Sequence, residues 1–310
     1  MKTLNLVNVE ISSIKYTISK FPDGQQNIVI GSLEKELVCI DYHPVGGGSK
    51  NGWRYPAVEI KSRLNNWLDL ELIVCAVASL REMGVKEIHL YIPYFMGARS
   101  DDNFQVGSNY YIRDVLAPVI NSLNFETVTA MDIHSPVVPN CIKRFKKISN
   151  SRLVVDSLCK IYDKEGVHSK EFILVSPDAG ASKKIFKIAE QIGYEGDIIT
   201  CSKSRDEHGN LTRVTVPYEF SSKDIIIIDD ICDGGATFIN IAKVLKSRTH
   251  ISIDPRRIYL IVTHGIFSAG FSELAKYFDG IYCTNSYGDA LAKRDGDVMY
   301  EKLVKQLNVF

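Results

Sequence analysis

The sequence predicts an α/β protein built as two domains, and three observations carry that reading. Short runs rich in Ile, Val and Leu recur along the chain and end in polar clusters, as buried parallel strands do when ligand loops follow their carboxyl ends. Amphipathic stretches of helical length separate these runs, and such alternation is the mark of the α/β class. The chain has 310 residues, more than one ordinary core supports, so halves of roughly 150 residues each are expected.

The runs that read as strands are 88–92, 128–133, 172–175, 225–228, 260–262 and 281–283. Helices are predicted over Leu68 to Met83, stopped by Gly84; over Ile112 to Leu123; over Lys183 to Ile192, stopped by Gly193; and over Ala236 to Lys246. A glycine just past the last periodic residue is the expected helix stop. Two strand-like segments, Asp197 to Cys201 and Leu211 to Val216, flank the polar stretch Ser202 to Asn210. The segment Pro44 to Tyr55, with Gly46, Gly47, Gly48, Ser49 and Asn51, is read as loop because it is so rich in turn formers. A polar stretch at Ser149 to Arg152 sets the expected boundary, giving domains 1–149 and 150–310.

Composition narrows the function classes. The chain is 45% hydrophobic and 24% charged, which is ordinary for a globular enzyme and argues against disorder. Its 37 basic residues balance 37 acidic ones, so no surface is built for nucleic acid or anionic lipid, and any phosphate site must be local. The seven cysteines (Cys39, Cys75, Cys141, Cys159, Cys201, Cys232 and Cys283) are odd in number, widely spaced and form no CxxC pair. That pattern speaks against zinc or disulfide frameworks and for a reducing compartment. Met1 to Glu10 has no apolar core of signal-peptide length, and no run reaches the ~18–20 apolar residues of a membrane span, so a cytoplasmic location is expected.

The strongest chemical signal is the stretch from Lys223 to Thr237, where an apolar strand runs into Asp229 and Asp230, then Asp233, Gly234 and Gly235, then Ala236 and Thr237 at a helix start. Such a turn aims backbone N–H groups and a Thr hydroxyl at one point, where the helix dipole also favours an anion. That makes a phosphate cradle. The two carboxylates at the strand end can accept hydrogen bonds from sugar hydroxyls beside it. Acidic N-capping alone rarely needs three Asp and two Gly in so short a span.

The Asp-Asp-x-x-Asp-x-Gly-x-Thr pattern from Asp229 to Thr237 resembles the ribose-phosphate loop of type I phosphoribosyltransferases and of ribose-phosphate diphosphokinases. Other segments, in order along nearly the whole chain, are similar to the diphosphokinases: Phe21-Pro22-Asp23-Gly24-Gln25, Ile92-Pro93-Tyr94 through Ala98-Arg99-Ser100-Asp101, Asp132-Ile133-His134, Ser176-Pro177-Asp178-Ala179-Gly180, Thr263-His264 and Thr284-Asn285-Ser286. The resemblance implies two type I phosphoribosyltransferase-like domains, each a mostly parallel sheet flanked by helices. It implies ATP binding at Phe21, Asp23, Gln25, Arg99, Ser100 and Asp101, with the first segment reaching adenine across a subunit contact, and hence a homo-oligomer, a dimer or a hexamer. It implies Mg²⁺ near His134 and Asp178, and an acceptor on Asp229, Asp230, Asp233, Gly234, Gly235, Ala236 and Thr237. Lys203 and Arg205 stand where the family carries a mobile catalytic hairpin, which makes them, with His134, the catalytic candidates. The expected reaction moves the β,γ-diphosphate of ATP to the anomeric hydroxyl of ribose 5-phosphate, for nucleotide biosynthesis.

Several positions depart from the family pattern. Gln25 replaces a usual Glu, Ser100 a usual Gln, and Asp102-Asn103 a basic pair, while Gly234 stands where Thr is usual. Loss of one charge-assisted hydrogen bond costs about 1.5–3 kcal/mol of phosphate binding unless something replaces it. The same change opens space, so a 5-phosphate already esterified, as in ADP-ribose, is the alternative acceptor, giving ADP-ribose pyrophosphate for NAD metabolism. A non-catalytic regulatory homologue and a nucleobase phosphoribosyltransferase are readings of other classes. Retention of Lys203, Arg205, His134 and Asp178 argues against the first, and the two-domain length argues against the second.

Overall fold

The computed structural model describes residues 1–31, 38–42, 50–97, 99–100, 107–162, 172–205, 211–217, 223–247, 257–291 and 297–310. The chain divides into two compact units, Met1–Ile148 with Phe310, and Ser149–Val309. Among the described residues no helix is long and apolar enough to cross a membrane.

The first unit contains β1 (Lys2–Asn5), β2 (Tyr16–Lys20), β3 (Gln26–Ile30), β4 (Val38–Tyr42), β5 (Lys50–Arg54), β6 (Val58–Lys61), β7 (Ile88–Tyr91), β8 (Thr127–Met131) and β9 (Phe145–Ile148). Five of these form a parallel sheet in the order β1-β6-β7-β8-β9. Helix α1 (Trp67–Glu82) starts at Asn66, whose side-chain oxygen accepts from the N–H groups of Leu68 and Asp69. It buries Leu70, Ile73, Ala76, Val77 and Leu80, the i, i+3, i+4 spacing that gives a helix one apolar stripe.

Two antiparallel hairpins stand outside that sheet, β2 with β3 and β4 with β5. The second corrects part of the expectation of a loop over Pro44 to Tyr55: Lys50–Arg54 is a strand, with Asn51 opposite Asp41 and Gly52 opposite Ile40, while residues 44–49 lie outside the described residues. Lys, Asn and Gly have little strand preference of their own. Pairing with Val38–Tyr42, where Val38, Ile40 and Tyr42 favour strand, overrides it, because β-propensity depends on the neighbouring strand. The predicted helix from Ile112 to Leu123 is also two pieces, a wide π-helical turn over Tyr111–Leu116 followed by α2 (Ala117–Ser122). The N–H of Ala117 bonds Ile112 O five residues back, and Pro118 in the next position has no N–H to continue a regular ladder. A short helix α3 (Val137–Cys141) precedes β9.

The second unit contains α4 (Ser151–Tyr162), β10 (Phe172–Ser176), α5 (Ala179–Ile192), β11 (Ile198–Thr200), β12 (Ser202–Arg205), β13 (Leu211–Thr215), β14 (Asp224–Cys232), α6 (Ala236–Ser247), β15 (Ile258–Gly265), β16 (Gly280–Thr284) and β17 (Val304–Leu307). Its six-stranded sheet has the order β11-β10-β14-β15-β16-β17, parallel throughout. Both faces are covered. Ile225 and Ile227 pack with Phe238, Ile241 and Leu245 of α6 on one side. Ile226 and Ile228 pack with Leu153 and Leu158 of α4 and Ile185 and Ile188 of α5 on the other. A strand buried on both faces reads as a continuous apolar run rather than an alternating one, which is why Ile225 to Ile228 was legible. Cys201, Cys232 and Cys283 join the α6-side core as free thiols.

Because Ile227 is fully buried at the centre of this sheet, Ile227→Ala should destabilise the second unit by about 2–5 kcal/mol. Urea denaturation checks this, and an unchanged midpoint would remove Ile227 from the core.

Candidate functional site

Strand β10 is flanked by β11 on one side and β14 on the other, so the direction in which strands are added reverses between β10 and β14. Ligands of open α/β sheets bind outside the carboxyl ends of the strands at such a reversal. The edge there carries Ser176 at the end of β10, Asp229 to Cys232 at the end of β14, and Thr263 to Gly265 at the end of β15.

Strand β14 was expected to stop before the acidic pair, but it continues to Cys232. Asp229, Ile231 and Cys232 keep their parallel register with Val262, His264 and Gly265 of β15. Asp229 and Asp230 therefore obey the period-2 alternation of the strand, although their carboxyls remain close enough to interact. Asp230 follows Ile226 and Ile228 toward α5, where Lys184 Nζ stands 3.3 Å from its Oδ2. Its carboxylate is only 4% exposed, and a carboxylate so placed stays ionised only with a partner. The Oδ1 of Asp229 accepts from the Asp230 N–H at 2.8 Å. Burial first, then the adjacent Asp230 charge, pushes the Asp229 carboxyl well above the usual carboxylate range.

Lys184 was missed in the sequence reading. The signal available was a lysine four residues before the buried Ile188, on the row of α5 that faces the sheet.

After Cys232 the chain turns through Asp233, Gly234 and Gly235 into α6. Gly235 has φ +81°, and a Cβ there would stand 3.1 Å from Leu274 Cδ2, so both backbone and space call for glycine. The first intrahelical bond to this turn is Ile239 N–H to Gly235 O at 3.0 Å. The N–H groups of Ala236, Thr237 and Phe238 precede it and have no intrahelical acceptor, which leaves a helix N-terminus able to receive an anion. Cys232 is fully buried, and burial raises its thiol, which suits packing and not nucleophilic attack.

Asp178 begins α5 four residues before the predicted start, because its Oδ1 caps the helix by accepting from the Ala181 N–H at 2.9 Å. Lys203 and Arg205 lie on β12, paired with Val214 and Leu211 of β13 in an antiparallel ribbon with a register shift between Ser204 and Arg205. The polar stretch from Ser202 therefore begins as strand, and residues 206–210 lie outside the described residues. Cys201 and Val216, flanking the Ser202–Thr215 pair, anchor the ribbon's base in the core, and burial raises the Cys201 thiol to about 12.

The first unit holds the other sequence-predicted residues. Phe21, Asp23 and Gln25 form the tip of the β2–β3 hairpin, closed by Phe21 N–H to Gln25 O at 2.8 Å and Gly24 N–H to Phe21 O at 2.9 Å. The Phe21 ring is 50% exposed. Arg99 and Ser100 are exposed after a turn in which Ser100 N–H bonds Gly97 O, while Ala98, Asp101, Asp102 and Asn103 lie outside the described residues. His134 is exposed just beyond β8, after the buried Asp132 with φ +46°. Met131 N–H bonds Pro93 O, so the segments carrying Arg99 and His134 leave neighbouring strands at one sheet edge. Among the described residues no three His, Cys, Asp or Glu side chains cluster as a metal cage.

The acid pair has a measurable consequence. With its native pKa raised, Asp229 keeps its proton where the unfolded chain has lost it, so stability falls as pH rises from about 4 toward the native pKa and stays reduced above it. Asp229→Asn removes that cost. Its melting temperature at pH 7 should exceed that of the parent protein by a few degrees, with the difference vanishing near pH 4. An equal melting temperature at pH 7 would show that Asp229 is ionised without penalty.

No protein-family model matches the chain. Curated relatives do. The ribose-phosphate pyrophosphokinase of Pyrococcus abyssi is 25% identical over 293 residues, covering 93% of this chain and 87% of that protein. That of Helicobacter hepaticus is 28% identical over 284 residues, covering 90% and 81%. The crystal structure of phosphoribosylpyrophosphate synthetase from Mycobacterium smegmatis superposes with a TM-score of 0.72 at 16% identity, covering 97% of this chain and 88% of that one. Its likeness supports the type I phosphoribosyltransferase-like fold expected from the sequence. Over nearly its whole length, in sequence and in fold, the chain is similar to the ribose-phosphate pyrophosphokinases.

Proposed function

We propose that this diphosphotransferase-type enzyme moves the β,γ-diphosphate of ATP to the anomeric hydroxyl of a ribose 5-phosphate group and releases AMP. The observation that carries the reading is the acid pair on β14 directly before a helix N-terminus. Asp230, paired with Lys184, accepts hydrogen bonds from ribose hydroxyls, and Asp229, its carboxyl held above the usual carboxylate range, faces the same hydroxyls. The backbone N–H groups from Gly234 to Thr237 and the Thr237 hydroxyl receive the 5-phosphate, while Asp233 borders it. In the step itself the acceptor's anomeric oxygen bonds the β-phosphorus. The bond from that phosphorus to the α,β-bridging oxygen breaks, AMP leaves with the electron pair, and the hydroxyl proton passes to water.

Such a transfer needs in-line placement and cations near the charge that builds up, roles given to Lys203 and Arg205. Phe21, Asp23, Gln25, Arg99, Ser100 and Asp101 hold ATP, the hairpin tip serving a neighbouring copy in a homo-oligomer. His134 and the second oxygen of Asp178 would hold Mg²⁺, with the nucleotide's phosphates and water completing its shell. A donor set this sparse suits Mg²⁺, which keeps most of its water, and the metal would neutralise phosphate charge. Two phosphoribosyltransferase-like domains, 1–149 and 150–310, would carry this out in the cytoplasm.

One observation favours a wider acceptor range. A Cβ built at Gly234 meets only Ser268 Oγ, at 3.8 Å, so the cradle has room where a phosphate could carry a second ester. ADP-ribose is therefore a second acceptor candidate, compared by kcat/KM with ribose 5-phosphate.

AMP release from ATP should require ribose 5-phosphate or ADP-ribose, and release of ADP instead would overturn the proposal. Lys203→Ala should lower kcat by roughly 10²-fold or more with little change in melting temperature. A near-normal kcat would take Lys203 out of the mechanism. Asp178→Asn keeps the helix cap, since Asn caps as well as Asp, and should raise the Mg²⁺ concentration for half-maximal rate. His134→Ala should do the same, and an unchanged Mg²⁺ requirement in both would dismiss the metal assignment.

A further inference from the structure

The fold itself gives no reason for a glycine at position 234. Gly235 next to it has φ +81° and a crowded Cβ position, whereas Gly234 has no positive φ and an open one. A side chain could stand there, and the single group it would meet is the hydroxyl of Ser268.

Ser268 is held at that place by the loop leaving β15. The N–H groups of Ile266 and Phe267 both bond Cys232 O, at 2.8 and 3.1 Å, which ties the loop to the last residue of β14 before the cradle. Phe267 takes φ +46°, a conformation rare for a bulky residue, and its buried ring packs against Phe271 at a tilt of 50°, centroids 4.7 Å apart. A Cβ at Gly265 would stand 2.2 Å from Cε2 of that ring, so the ring in this position needs a glycine beneath it. Behind it, His264 Nδ1 meets Ser286 Oγ at 2.8 Å, and Thr284 Oγ1 donates to Thr263 O at 2.6 Å, all four residues being buried. The loop is fixed at both its entry and its turn. Ser268, one residue beyond the strained Phe267, is exposed beside the exposed Gly234.

We infer that Ser268 is the specificity-determining residue of the acceptor's phosphate end, its hydroxyl donating to a 5-phosphate oxygen in place of the side chain that Gly234 lacks. The inference rests on the acceptor site proposed above. A hydroxyl presented from a second loop satisfies the phosphate from one side and leaves the space over residue 234 free. A hydroxyl attached at 234 would fill that space.

Titration calorimetry with ribose 5-phosphate tests binding apart from turnover. Ser268→Ala should weaken binding about tenfold, the scale of one charge-assisted hydrogen bond, and raise KM for the acceptor with kcat within about twofold. Gly234→Thr in the Ser268→Ala background should restore most of that binding, which a merely structural role for Ser268 could not produce. Unchanged binding in Ser268→Ala, or no recovery in the double variant, would overturn the inference and leave the proposed reaction standing. Parent protein that binds ribose 5-phosphate but releases no AMP would overturn the reaction while the binding comparison still decides on Ser268. Parent protein that binds no ribose 5-phosphate would overturn both.

Discussion

Strand β14 is covered on both faces, and the alternation of its side chains sets where the chemistry stands. Ile225 and Ile227 lie in the α6-side core and Ile226 and Ile228 in the α4–α5-side core. Two acids appended in sequence start from opposite faces of the strand, yet their carboxyls stay close enough to interact. Asp230 pairs with Lys184. Asp229 has burial and its neighbour's charge against ionisation. Two identical side chains thereby sit in unequal surroundings, which is how paired carboxyls take different roles.

The same edge concentrates local costs. Gly235 and Phe267 both occupy the left-handed region, and Phe267 does so without being glycine. Non-glycine residues there cost on the order of 1–3 kcal/mol and persist where the surroundings over-determine them. Here the surroundings are the two bonds to Cys232 O and the buried Phe271 contact. Their common effect is to bring the β15 loop, the β14 turn and the α6 N-terminus to one place. Rigid supports of this kind let an empty site keep its hydrogen-bonding geometry.

The first unit repeats the logic with less charge. Its parallel sheet also sends loops from the carboxyl ends of neighbouring strands, one toward Arg99 and one toward His134. Asp132, buried and with φ +46°, turns the second of these sharply. Its hairpins are a different kind of element. The β2–β3 tip lifts Phe21 into solvent, while Gln26 Nε2, just past that turn, bonds Leu68 O at 2.6 Å. An exposed aromatic ring on a held turn can stack on a base without ordering cost.

The sequence alone determined the α/β class, the principal strands and helices, and the strand, turn and helix start from Asp229 to Thr237, because hydrophobic periodicity and glycine turns are local signals. What it could not determine depends on partners distant in the chain. Lys184 meets Asp230 across 46 positions, Lys50–Arg54 becomes a strand by pairing with Val38–Tyr42, and Ser268 reaches Gly234 from another loop. Asp178, read as a ligand, was found also to cap α5, a use of one oxygen that depends on where the helix starts. The tertiary structure decided these because burial, pairing and charge act through space, and a residue's neighbours in the chain do not contain them.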